Sequence, residues 1–213
     1  MEFLKPPRDT DTSHLDQTET ALRFCLKHLG KYGLNRNAID AGGHIGKATR
    51  IMADQFNHVY TFEPLWGQYL RQNIMDKSNV TVHDVGLGNT AKMEKIYIMP
   101  TNTGGSSIVE HKRREKFQKQ SWTETKKIII KKIDSYNLHQ VDFIKIDVES
   151  YEQPVILGGE KTIKRDKPLL MIEMMERYEN KNIGTVKRTA EIVESWGYNL
   201  IKTFGDDRIY GYG

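Results

Sequence analysis

Ala38-Ile39-Asp40-Ala41-Gly42-Gly43-His44-Ile45-Gly46 begins as a short apolar run and ends in glycines, after which Thr49, Met52 and Phe56 continue the helical spacing begun at Ile45. A strand that turns through glycine into a helix is the first half of a parallel β-α-β unit. The second half follows at Val59-Tyr60-Thr61-Phe62, a β-rich run stopped by Glu63-Pro64. The alternation continues with a helix through Leu70 and Ile74, then a strand from Val80 to Val85 closed by Gly86. Upstream, residues 17–29 set Leu22, Cys25 or Leu26, and Leu29 on one stripe, which predicts an amphipathic helix.

The middle of the chain breaks this rhythm. Ile96-Tyr97-Ile98-Met99 and Ile128-Ile129-Ile130 read as strands, separated by a polar, basic segment that opens with loop composition at Asn102-Thr103-Gly104-Gly105-Ser106-Ser107. Alternation resumes with a strand over Val141–Val148, a helix near 153–160, a strand over Leu169–Ile172 and a helix over 185–196 stopped by Gly197. Strands at 198–204 and 208–212 flank Gly205-Asp206-Asp207 and close the chain as a hairpin. The pattern predicts a Rossmann-like α/β fold: a mostly parallel sheet, helices on both faces and a C-terminal antiparallel hairpin. Ser150-x-x-Gln153 has the spacing of a capping box, and Glu152 suits the first turn of the helix behind it.

Composition sets the outer limits. A chain of 213 residues divided by about 150 per domain predicts one domain spanning 1–213, with an N-terminal extension over 1–36 that carries the first helix and an inserted loop over 100–126. The 38% apolar content supports a real core and excludes collagen-like and disordered classes. No apolar run approaches the ~18 residues of a membrane span, and Met1–Arg8 lacks the apolar stretch of a secretion signal. The lone Cys25 makes no internal disulfide, so a cytoplasmic, reducing setting is expected. The net charge of +4 is too small to define a nucleic-acid surface, although His111-Lys112-Arg113-Arg114-Glu115-Lys116 concentrates part of it.

In an open α/β sheet, ligands bind beyond the carboxyl ends of the strands. There the sequence delivers Asp40 with Gly42, Gly43, His44 and Gly46, then Glu63 seventeen residues after Gly46, then Asp84. Glycines permit a sharp turn and close approach of backbone to ligand, and the helix behind them presents free N–H groups. A carboxylate at the end of the second strand suits the vicinal hydroxyls of a ribose. Together these predict an adenosine-containing cofactor, with Asp84 beside the adenine or capping the next turn. In Val141-Asp142-Phe143-Ile144-Lys145-Ile146-Asp147-Val148-Glu149, one face starts apolar and becomes Lys145, Asp147 and Glu149. Charges on a central strand need partners or a function. Asp147 is the best catalytic candidate, Lys145 a partner for a carboxylate within the sheet, and Glu173 faces the same crevice from the next strand. The seven histidines show no ligand-like spacing and a single cysteine excludes thiolate zinc sites, so no metal centre is expected, although Asp147 and Glu173 could contribute to a carboxylate site.

Ile39–Gly46, Phe62-Glu63-Pro64, Gly104-Gly105-Ser106-Ser107, Lys145-Ile146-Asp147-Val148-Glu149 and Ile172-Glu173, in that order, resemble the FkbM family of S-adenosylmethionine-dependent methyltransferases over roughly residues 37–200. The resemblance implies the seven-stranded methyltransferase fold with its last strand antiparallel. It also implies S-adenosyl-L-methionine as cofactor and O-methylation of a small molecule or saccharide. On that basis Glu63 is expected on the ribose, Asp84 near adenine, and Asp40 with the Gly42–Gly46 loop around the methionine part. Asp147 would orient or deprotonate the acceptor, supported by Glu173 and Lys145. The family usually has Ala-Asn where this chain has Gly43-His44, and Gly where it has Ser150.

Three other readings compete. Ala41-x-Gly43-x-x-Gly46 passes as a degenerate dinucleotide fingerprint, which would make the chain an NAD(P)-dependent oxidoreductase. A non-catalytic adenosine-cofactor-binding domain would use 100–126 as its interaction loop. Nucleic-acid methylation has only the basic segment 111–132 in its favour. A small-molecule or saccharide acceptor is the expected partner, with a homodimer left open.

Overall fold

A computed structural model of the chain describes residues 3–7, 9, 15–99, 101–109, 124–178 and 182–213. In chain order its elements are α1 (Leu15–Gly30), β1 (Asn37–Ala41), α2 (Lys47–Ala53), β2 (His58–Phe62), α3 (Gly67–Asn73), β3 (Val80–His83), β4 (Gly86–Leu87), β5 (Lys92–Ile98) and β6 (Glu124–Lys131). There follow β7 (Val141–Ile146), α4 (Glu152–Gly158), α5 (Glu160–Asp166), β8 (Leu169–Glu173), α6 (Val186–Ser195), β9 (Tyr198–Phe204) and β10 (Asp207–Tyr212). The basic run 111–116 and most of the expected 100–126 loop lie outside the described residues.

Seven strands form one sheet in the order β3-β2-β1-β7-β8-β10-β9. Pairing is parallel from β3 through β8, and β10 runs antiparallel to both β8 and β9. This is the expected fold class, and the order of the strands reverses between β1 and β7, the point at which such sheets open a crevice. The alternation of side chains sorts two cores. Ile39, Ala41, Ile144, Ile146, Leu170 and Ile172 pack with Val155, Ile163 and Val193 of α4, α5 and α6. Ala38, Phe143, Met171 and Ile209 pack with Leu22, Leu26, Met52 and Phe56, from α1, α2 and the turn after α2.

Several local expectations are corrected. The helix near 153–160 is two short helices meeting at Gly159. The strand expected to reach Val148 stops at Ile146, and Glu149 and Ser150 have φ of 57° and 75°. Ser150 therefore forms no capping box; Tyr151 is the N-cap residue, and Glu152 instead reaches back to accept the Ser150 N–H at 2.9 Å. The third strand ends at His83, and Gly86–Leu87 joins a second, three-stranded sheet of order β4-β6-β5. The two irregular strands pair there with each other, antiparallel, because Ile96, Ile128 and Ile130 bury one face against Leu65 and Ile108.

One polar row crosses the apolar sheet. Asp40 and Lys145 are direct register partners on β1 and β7, and Thr61 on β2 lies opposite Asp40. Asp40 is fully buried; its Oδ2 accepts from Thr49 Oγ1 of α2 at 2.6 Å, and its Oδ1 lies 3.3 Å from Lys145 Nζ. A buried pair costs desolvation on both sides, but losing one member leaves an uncompensated charge. Lys145→Met is expected to lower stability by ~3–5 kcal/mol. The double variant Asp40→Asn/Lys145→Met should recover most of that loss. Chemical denaturation of both decides it: a double variant no more stable than Lys145→Met would show that the pair is not the unit.

Candidate active site

A cleft opens at the carboxyl ends of β1, β2, β7 and β8, with the second sheet along one side. The Gly-rich turn forms its back. Gly42 has φ of 87°, and a Cβ there would meet the Asp147 carbonyl oxygen at 1.9 Å, so β1 and β7 stay close only around a glycine. His44 also occupies the left-handed region, at φ 48°. Its backbone N–H donates to Glu63 Oε2 at 2.8 Å, while Glu63 Oε1 accepts from Leu65 and Trp66 N–H at 2.8 and 3.1 Å. Glu63 thus ties the glycine turn to the segment leaving β2. Burial pushes its carboxyl up to about 7, against the pull of those three N–H donors.

The floor is ionic. Lys145, nearly fully buried, lies 3.2 Å from Asp147 Oδ2 and donates to the Gly42 carbonyl at 3.3 Å. Burial alone would lower its pKa, but Asp147 and Asp40 hold it above the ordinary value. Asp147, Glu149 and Glu173 bring carboxylate oxygens within 4.8 Å of one another. Crowding of this kind suits a shared proton or a divalent cation. Glu173 Oε2 is buried with no hydrogen-bond partner among the described residues, and burial followed by the charges of Asp147 and Glu149 raises its pKa well above the usual carboxyl range. Asp207, opposite Glu173 in register, is pushed to about 7 by burial and by Asp147.

Of the residues singled out in the sequence, Gly42, Gly43, His44, Glu63, Lys145, Asp147 and Glu173 line the cleft. Asp40 lies beneath it and supports Lys145. Gly46 turns the chain into α2 at φ 90°. Asp84 is not brought into the cleft: its side chain is 59% exposed and pairs with Arg71, Oδ2 to Nη2 at 2.7 Å. Leu65, Ile96, Ile108 and Ile128 form the apolar wall on that side instead. Sequence reading missed Asp9, Trp66, Thr103, Tyr151 and Asp207 as lining residues. Of these, Thr103 beside Gly104-Gly105-Ser106-Ser107, Tyr151 between Ser150 and Glu152, and Asp207 in the expected hairpin turn stood within or next to a marked feature.

The family described as "Methyltransferase FkbM domain" matches residues 40–200. Among solved structures, the chain is similar to methyltransferase FkbM from Methylobacillus flagellatus KT, with 20% identity and a TM-score of 0.57 over 84% of this chain and 44% of that one. It thus spans less than half of that protein's length. It is also similar to magnesium protoporphyrin IX methyltransferase from Synechocystis PCC 6803, solved with bound SAM (11% identity, TM-score 0.52, 96% of this chain and 86% of that one). A third is 1,6-didemethyltoxoflavin-N1-methyltransferase from Burkholderia thailandensis, solved with S-adenosylhomocysteine (10% identity, TM-score 0.51, 93% of this chain and 78% of that one). At these identities the likeness is one of fold. A comparison with curated proteins found no match. No helix among the described residues is long and apolar enough to cross a membrane.

The acidic floor has a consequence for stability. Burial raises the Glu152 carboxyl to about 8, with Glu149 and Asp147 adding to the effect. A carboxyl whose folded pKa exceeds its unfolded value of ~4.3 stabilises fully below that value, and its contribution is lost as pH rises through the folded one. Stability is therefore expected to fall between about pH 5 and about pH 8, and less steeply in Glu152→Gln. Urea unfolding across that range measures it; equal slopes would remove Glu152 from the account.

Proposed function

Because the chain belongs to the FkbM methyltransferase family, we propose that it transfers the methyl group of S-adenosyl-L-methionine to a hydroxyl of a small molecule or saccharide. The observation that carries this reading is Glu63, a buried carboxylate at the end of β2 that lines the cleft and holds the glycine turn. The residues present suit that cofactor. Glu63 would accept from the ribose hydroxyls, and the Gly42–His44 backbone would lie along the methionine part. The apolar wall of Leu65, Ile96 and Ile108 would take the adenine, in place of the role expected of Asp84.

When bound, the cofactor supplies a methyl group already activated on a sulfonium. The protein's part is then alignment and proton handling. Lys145 holds Asp147 from below, leaving that carboxylate to orient the acceptor hydroxyl and accept its proton. Glu173 offers an oxygen with no partner among the described residues, so a hydroxyl donating to it would satisfy a buried acceptor. The fourfold acidic surroundings of Asp147, Glu149, Glu173 and Asp207 favour a neutral or cationic acceptor over an anionic one.

Calorimetric titration with S-adenosylhomocysteine, alongside NAD(H) and NADP(H), tests the class. Micromolar binding of the first and none of the others is expected; nicotinamide binding alone would restore the oxidoreductase reading. Glu63→Ala should weaken S-adenosylhomocysteine binding about 10- to 100-fold, the worth of a charged hydrogen-bonding group. Asp147→Ala should abolish turnover of an acceptor while leaving that affinity nearly unchanged. Turnover intact at saturating cofactor would remove Asp147 from the reaction.

A further inference from the structure

The N-terminal segment is part of the cleft. Leu4 N–H donates to Asn73 Oδ1 at 2.7 Å and Leu4 O accepts from Asn73 Nδ2 at 2.9 Å, while the same amide donates to Ile45 O at 2.8 Å. Phe3, Lys5 and Asp9 line the cleft. Asp9, its side chain only 4% exposed, accepts through Oδ2 from Thr103 Oγ1 at 2.6 Å. Thr103 Oγ1 is in turn 2.8 Å from His44 Nε2. Thr103 is itself 2% exposed, and its carbonyl accepts from Trp66 Nε1 at 3.3 Å.

The protons in this chain can be counted. A hydroxyl has one hydrogen, and that of Thr103 is committed to the Asp9 carboxylate, which only accepts. The contact between Thr103 Oγ1 and His44 Nε2 therefore requires the proton on Nε2. Burial pushes the His44 ring down to about 4, against the charge of Asp9 and Asp147 and with that of Lys47 and Lys145, so the ring is neutral at physiological pH and Nδ1 is bare. His44 is also the residue whose backbone N–H is held by Glu63 and whose φ is left-handed. Ring and backbone are thus fixed from opposite sides, by Thr103 and by Glu63.

We propose that Asp9 and Thr103 are positioning residues for cofactor binding, acting through His44: they lock it as the neutral Nε2–H tautomer and so fix the glycine turn. The inference rests on the methyl-transfer reading for the identity of the ligand. Its physical sense is twofold. A turn held in a left-handed conformation before binding does not have to be ordered during it. A neutral ring also places no positive charge beside a sulfonium. The latch joins residues 94 apart in the chain and so ties the N-terminal segment to the turn after β5.

The test uses the full chain with Thr103→Val, which keeps the shape and removes the hydroxyl, Thr103→Ser, which restores it, and Asp9→Ala. In the free wild-type protein, nitrogen-15 correlation spectra should show His44 protonated at Nε2 alone at neutral pH. In Thr103→Val that pattern should give way to mixed tautomers. Affinity for S-adenosylhomocysteine should fall about five- to tenfold in Thr103→Val and Asp9→Ala and return to within about twofold of wild type in Thr103→Ser. A proton on Nδ1 in the wild type, or equal affinities in Thr103→Val and wild type, overturns the proposal. Failure of the wild type to bind S-adenosylhomocysteine overturns the methyl-transfer reading and the cofactor role together, and the tautomer then still reports on the latch by itself.

Discussion

The ion pair between Asp40 and Lys145, formed in register across the two central strands, is the constraint on which the site depends. A charged residue in the middle of a parallel sheet is tolerated only if its neighbours satisfy it. Here they do so in a chain that leads to the surface. Thr49 holds Asp40 from α2, Asp40 holds Lys145, and Lys145 reaches both the Gly42 carbonyl and the Asp147 carboxylate. The glycine turn and the leading catalytic candidate are therefore anchored to one buried ammonium. The structural reading of Lys145 as a partner within the sheet and the functional reading of Asp147 describe two ends of the same network.

Above that anchor the cleft divides by chemistry. Its acidic floor comes from the ends of β7, β8 and β10, where Asp147, Glu173 and Asp207 occupy neighbouring strands. Its apolar wall comes from the small second sheet, which the irregular middle of the chain contributes. Glu63 stands between the two and is committed to backbone N–H groups of both the glycine turn after β1 and the segment after β2. A single carboxylate in that position couples the shape of the turn after β1 to the path of the chain after β2. Its burial and its raised pKa follow from the same placement.

The family match runs from residue 40 to residue 200, and Asp9 lies outside it. Thr103 lies inside, next to the Gly104-Gly105-Ser106-Ser107 motif, and looks in sequence like ordinary loop composition. His44 lies inside the matched range too, in the glycine turn. Its ring is supported by a hydroxyl from the turn after β5, which a carboxylate from the N-terminal segment holds in turn.

What the sequence by itself determined was local and periodic. The strand-glycine-helix alternation, the acid at the end of the second strand, the charged edge of Val141–Glu149 and the closing hairpin are all legible because residues a few positions apart share a face or a turn. Even there, boundaries moved: the capping box at Ser150 failed because its φ is left-handed, and the strand before it stopped two residues early. The tertiary structure alone decided that Asp40 meets Lys145, that Asp84 turns outward to Arg71 rather than into the cleft, that two irregular strands make a sheet of their own, and that Asp9 reaches Thr103. Each of these depends on which distant segments the packing brings together. A contact between residues 94 positions apart leaves no period in the sequence by which to read it.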